Sequence, residues 1–387
     1  MQRIIFISLF TAIFSANLGM GIVAPLLPVY AQHFGATGLY IGLVFASFSI
    51  TRTIFLPVVG NLSDKIGRKI FITSGLFLFS LASIGYIFAS NITLLILTRM
   101  LQGAAAAMVI PIALAYMGES SPKGKEGSYM GTFNLFFFGG LATGPILGGI
   151  VKELAGIKFC FISMGAISLF GWLLAFIFLP EKKPPEKNKS YPAKGYLRFF
   201  QSRALKGIFF YRLCFSTGIG VLWAFLPIFG DNILKLSSSQ IGILISINIA
   251  VATILQTPFG MLADRIKKGR LVMLGGCLAG ISLVTIPFSR NFSEIIIINF
   301  LLGISGGISM PALTALTVEE GKKMGDMGSM MSAFVLFHSI GMIVGPLFAG
   351  ISTQFINITV TFITGGVIGI LGVIGFVLAQ KYRLQIS

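Results

Sequence analysis

Residues 159–179 read FCFISMGAISLFGWLLAFIFL, twenty-one positions without a charged side chain. About 20 apolar residues in a helix cross roughly 30 Å of hydrocarbon, and such runs recur along the chain, for example Ile4–Tyr30 and Thr73–Ala89. With 55% hydrophobic and 11% charged residues, against roughly a quarter charged in soluble domains, this reads as an all-α membrane protein. Broken at its polar joints, the sequence predicts twelve spans, over 4–30, 39–60, 71–90, 94–117, 128–151, 159–179, 207–229, 239–260, 271–289, 292–317, 329–353 and 359–380. The first run follows only Met1-Gln2-Arg3, exceeds a signal-peptide core and is read as a span.

A net charge of +17 would suit a nucleic-acid partner, but its placement argues otherwise. Lys65, Arg68 and Lys69, the lysines of 181–206, Arg265, Lys267, Lys268, Arg270, Lys322 and Lys323 all fall in alternate joints. The opposite joints hold only Lys152, Lys158, Lys235 and Arg290. This one-sided loading predicts a multi-pass protein of the cell membrane with both termini cytoplasmic. It implies contact with anionic lipid and no nucleic acid. Cys160, Cys214 and Cys277 stand apart in apolar stretches with no metal-ligand spacing, so neither metal nor cofactor is expected.

The longest joint, 181–206, is rich in Pro and Lys and divides an N-terminal six-helix bundle (1–180) from a C-terminal one (207–387). The halves are repeats at an offset of about 200 residues. Gly60-x-Leu62-x-Asp64 answers Gly260-x-Leu262-x-Asp264, Pro111 answers Pro311, Glu119 answers Glu319, and Gly144-Pro145 answers Gly345-Pro346. Six-span halves repeated in parallel place a substrate site between them near the bilayer midplane, and rocking of the halves is the natural transport mechanism.

With Gly60, Leu62, Asp64, Lys65, Gly67, Arg68 and Lys69, and a looser copy at Gly260, Asp264, Arg265 and Arg270, the chain resembles the major facilitator superfamily over its whole length. The resemblance implies two six-helix bundles. Physically the motif reads as a conformational latch, with Asp64 accepting hydrogen bonds at a helix N-terminus of the other half and Arg68 paired with an acid such as Glu119. Gly60, Gly67, Asp264, Arg265 and Glu319 belong to the same device. The competing reading is that these charges only anchor joints at the headgroups.

Arg99-x-x-Gln102-Gly103 resembles the motif of proton-linked members, and an intramembrane cation usually has a functional partner; the alternative is an arginine snorkelling to the interface. Gly140-x-x-x-Gly144-Pro145-x-x-Gly148-Gly149 and the first-span prolines Pro25 and Pro28 are similar to patterns of twelve-span drug:proton antiporters. What the resemblance implies is proton-coupled efflux of small hydrophobic or amphiphilic compounds by a monomer, with a dedicated carrier of one anionic or neutral metabolite as the alternative.

All twelve acids fall in joints or at span ends, so the buried carboxylate with which many exporters handle cationic drugs is missing. The intramembrane ionisable groups are Arg52, Arg99, Arg212 and His338. Arg52 reads equally as a cavity cation or as a donor to carbonyls near Pro57. His338 could titrate near neutral pH as a coupling group, or serve only in packing. Asn17, Asn134, Trp223, Asn248 and Gln256 are the remaining cavity candidates. No HExxH, GxSxG or GxxxxGK[ST] occurs, so neither an intramembrane enzyme nor an ATP-driven pump is expected, and nothing resembles a channel's selectivity loop.

Overall fold

Lipid offers no hydrogen-bond partner to a bare peptide group, so a spanning segment must satisfy its backbone internally. The structure, a computed structural model, describes residues 2–121, 126–181, 202–324 and 327–384. Of the expected joint 181–206, residues 182–201 lie outside the described residues. Among the described residues twelve helices are long and apolar enough to span a membrane.

The first half comprises α1 (Gln2–Val23), α2 (Leu27–Gln32), α3 (Gly38–Ile66), α4 (Arg68–Phe88), α5 (Ile92–Ser120), α6 (Glu126–Ala155) and α7 (Ile157–Phe178). The second comprises α8 (Arg203–Ile228) with a π turn at Phe229–Ile233, α9 (Ser238–Arg265), α10 (Lys268–Thr285), α11 (Phe292–Met324), α12 (Met327–Phe355) and α13 (Ile358–Leu384). Two sequence expectations are corrected. The run 4–30 is not one helix but breaks at residues 24–26, because Pro25 has no N–H and its ring crowds the preceding turn. The joint 60–71 is not a loop: α3 continues through Asp64 to Ile66, and only Gly67 separates it from α4. Hydropathy reports where lipid ends, not where a helix ends.

The repeat is visible in the packing. α1 packs on α6 and α7, and α4 on α5 and α7; correspondingly α8 packs on α12 and α13, and α10 on α11 and α13. Pro57, Pro111 and Pro145 lie inside helices and recur as Pro258, Pro311 and Pro346. Hydroxyls within the spans bond the carbonyl one turn back, as Thr98 does to Leu94 (2.8 Å) and Thr317 to Leu313 (2.8 Å), which satisfies them without water. Packing groups the chain into two units. One is drawn from Met1–Ala36, Leu43–Lys189 and Gly230–Ser246, the other from Thr37–Gly42, Ser190–Phe229 and Ile247–Ser387.

Candidate functional site

Gly67 has φ of 129°, a conformation that side-chain-bearing residues rarely adopt. A Cβ there would run into the carboxylate of Glu181, which accepts the Lys69 N–H (3.1 Å) in the first turn of α4. The tight joint sets Arg68 back over the end of α3. Its side chain, 8% exposed, pairs with Asp64 (2.9 Å) and Glu119 (2.6 Å) and donates to Ser63 Oγ (3.1 Å). Nε reaches the second Glu119 oxygen at 3.3 Å, the two-pronged arrangement that a planar guanidinium favours. Asp64 is 54% exposed, and among the described residues its ion-pair partner is Arg68 of its own joint. Gly60, one turn before Asp64, has open space where a Cβ would go, and its carbonyl accepts from Ser63.

In the second copy Lys268 pairs with Glu319 (2.9 Å), the counterparts of Arg68 and Glu119 at the 200-residue offset. Lys267, in the place of Gly67, has φ of −61°, so this joint makes no left-handed turn. Arg265 is exposed. Asp264, Lys268, Glu319, Lys322 and Gln256 line a groove of about 550 Å³ between the end of α9 and α11.

In the first half of the chain Arg99 is 4% exposed and Gln102 fully buried. Arg99 Nη1 and the Tyr86 hydroxyl both donate to Gln102 Oε1, at 2.6 and 2.7 Å. The guanidinium lies over the rings of Phe45 (5.2 Å) and Phe48 (4.6 Å), and its Nε has no hydrogen-bond partner. Among the described residues no acid forms an ion pair with it. The cation is therefore held by one amide oxygen and two aromatic faces, a weak counterweight to its desolvation.

The second half of the chain offers a looser parallel. Arg212 stands over Phe334 (4.5 Å) with Nη1 2.6 Å from Met310 Sδ, and its Nε is unpartnered. His338 Nδ1 and Ser216 Oγ are 2.8 Å apart. Arg52 is partly buried with an unpartnered Nε. Asn17 donates to Ile13 O (2.9 Å) but leaves a buried Oδ1 without a partner. Asn248 donates to Asn299 O (3.4 Å), Trp223 is partly buried, and Asn134 is exposed.

The glycines of α6 serve close helix contact. A Cβ on Gly144 would fall 2.6 Å from the Gly21 Cα, and one on Gly140 2.6 Å from the Phe14 carbonyl. Gly148 meets the Ile22 carbonyl, whereas Gly149, one position round the helix, meets that of Ser238; the Pro145 carbonyl faces Gly242. Sequence reasoning had not singled out Tyr86, Glu181, Lys268, Glu153 or Gln354. Lys268 was within reach by adding 200 to Arg68. Tyr86 and Glu181 carried no signal, since their roles depend on how separate helices turn toward one another.

The sequence pattern of the Major Facilitator Superfamily matches residues 9–233 and again 208–384, and the chain belongs to that family. It is 29% identical over 89% of its length to an uncharacterized MFS-type transporter of Methanocaldococcus jannaschii, covering 90% of it. It is 26% identical to Multidrug resistance protein 2 of Bacillus subtilis, over 99% of this chain and 96% of that protein. It is likewise 26% identical to Quinolone resistance protein NorA of Staphylococcus aureus, over 90% of each. In fold it is similar to a bacterial homolog of the human lysosomal transporter Spinster (TM-score 0.79, 13% identity, 98% and 95% covered). It is also similar to the human organic anion transporter MFSD10 (TM-score 0.68, 18% identity, 97% and 99% covered). The protein is a multi-pass membrane transporter of this superfamily.

Proposed function

We propose that the chain exports small hydrophobic and amphiphilic compounds in exchange for protons, by alternating access, as a monomer in the cell membrane with both termini cytoplasmic. The observation that carries the coupling is Arg99, a buried cation without an ion-paired acid among the described residues. An intramembrane charge is kept for what it acts on. Arginine holds its proton throughout, so Arg99 acts on a neighbour or on cargo, and His338, whose imidazole can take up and release a proton, is the candidate carrier. Efflux of drug-like molecules is supported by similarity to the two resistance proteins along nearly their whole lengths. The test is flux in proteoliposomes under an imposed pH gradient. Gradient-driven movement of neutral amphiphiles that Arg99→Ala abolishes supports the reading, and gradient-independent flux across a broad panel counts against it.

A second reading, transport of one anionic metabolite, is favoured by Arg52, Arg99 and Arg212, each without an ion pair to an acid among the described residues. Under it Arg52→Ala abolishes flux of the anion, whereas under the first reading neutral compounds still move.

A further inference from the structure

The starts of α3 and α9 occupy matching places in the two halves, on the membrane face opposite the basic joints, and they are seated alike. Gln354, near the end of α12, accepts the Thr37 hydroxyl (2.9 Å) and the Leu39 N–H (3.1 Å) on one oxygen. Glu153, near the end of α6, accepts the Ser239 N–H (2.8 Å) and the Ser239 hydroxyl (2.7 Å) on two. The two acceptors share the offset of Gly144-Pro145 and Gly345-Pro346, so they are repeat equivalents. Alongside each, bare backbone meets bare backbone: Gly42 faces the Pro346 carbonyl and Gly242 the Pro145 carbonyl. The N–H groups of a first helical turn have no partner within the helix, and these side chains supply one.

We propose that Glu153 and Gln354 are paired clasps on the starts of α9 and α3, and that Glu153 is a proton-binding site whose occupancy loosens its clasp while Gln354 holds at any pH. The functional weight of such a release rests on the alternating-access reading above. An ionised carboxylate offers both oxygens as acceptors and suits the positive end of a helix dipole. A proton turns one oxygen into a donor and removes the charge, so the charge-assisted bonds are lost and only a neutral one remains. An amide has no such transition. Glu153 is exposed, so protons reach it directly from solution. Lys152, its neighbour on α6, is the charged group acting on it, and Ser237, just before α9, and Ser239, in its first turn, face it with their hydroxyls; among the described residues no acid or base of α1, α5 or α7 acts on it.

Amide hydrogen exchange tests this on the full chain in lipid nanodiscs, with rates normalised to the intrinsic pH dependence. As pH falls from 7 to below the ordinary glutamate value of about 4.3, protection over 238–242 is expected to drop at least about tenfold. Protection over 38–42 is expected to stay level. Glu153→Gln should flatten the response of α9 while keeping its protection, and Gln354→Glu should confer the response on α3. The proposal is overturned if the start of α9 is pH-independent in the natural chain, or if Glu153→Gln retains the natural profile. Because the readout is exchange and not flux, the clasp can fail while the transport reading stands, and the reverse.

Discussion

The joints at Gly67 and Lys267 are drawn from matching residues and close in different ways. At the first, a left-handed glycine leaves one residue between two helices, and an arginine gathers Asp64, Glu119 and Ser63. At the second, the backbone passes through an ordinary extended residue, and a lysine holds Glu319, itself 46% exposed. A guanidinium has five donors in a plane and can serve several acceptors at once, whereas an ammonium is a compact charge on a flexible stem. Matching positions therefore do not make matching devices, and the first joint is expected to be the rigid one.

The largest effect should come from removing the cations. Arg68→Ala withdraws a nearly buried guanidinium from two carboxylates and is expected to cost about 2–3 kcal/mol, the scale of hydrogen bonds to charged groups. Lys268→Ala, breaking a more exposed pair, should cost under about 1 kcal/mol. Unfolding in detergent, followed by circular dichroism, measures both. Arg68→Lys sharpens the contrast, since it keeps the charge and loses the fork; recovery of full stability would mean that charge alone matters. Equal losses at 68 and 268 would erase the difference between the joints.

Next in size is the backbone. Gly67→Ala forces a side chain into a φ of 129° and toward the Glu181 carboxylate, and strain of that kind costs on the order of 1–3 kcal/mol. Lys267→Ala changes an exposed residue of ordinary conformation and should stay within about 0.5 kcal/mol. A Gly67→Ala protein as stable as the natural one would mean that the left-handed turn is not needed.

The difference between the joints was only partly legible beforehand. Membrane spans announce themselves because lipid tolerates so few compositions, and the repeat was readable because Gly, Pro, Asp and Glu recur at one offset. The replacement of Gly67 by Lys267 was visible as letters, but the φ that makes it matter was not. The continuation of α3 through Asp64 was hidden because charged residues in water join helices and loops with equal ease. Tyr86 on Gln102, Glu181 on Lys69 and Glu153 on Ser239 were beyond reach for one reason: each bond depends on how separate helices approach and rotate.

The smallest expected stability change is the most discriminating for mechanism. Asp64 is 54% exposed and pairs with Arg68 one helical turn away, an arrangement worth about 0.3–0.5 kcal/mol. Asp64→Asn should therefore barely move the unfolding midpoint, and Asp264→Asn should move it no more. Transport is a separate measurement. If Asp64→Asn lowers flux at least tenfold at unchanged stability while Asp264→Asn does not, the carboxylate acts in a conformation other than the one in which Arg68 holds it. A carboxylate that had already made its working contact would lose stability and flux together. If both variants transport normally, the first joint is rigid for folding alone, and its contrast with the second has no part in the transport cycle.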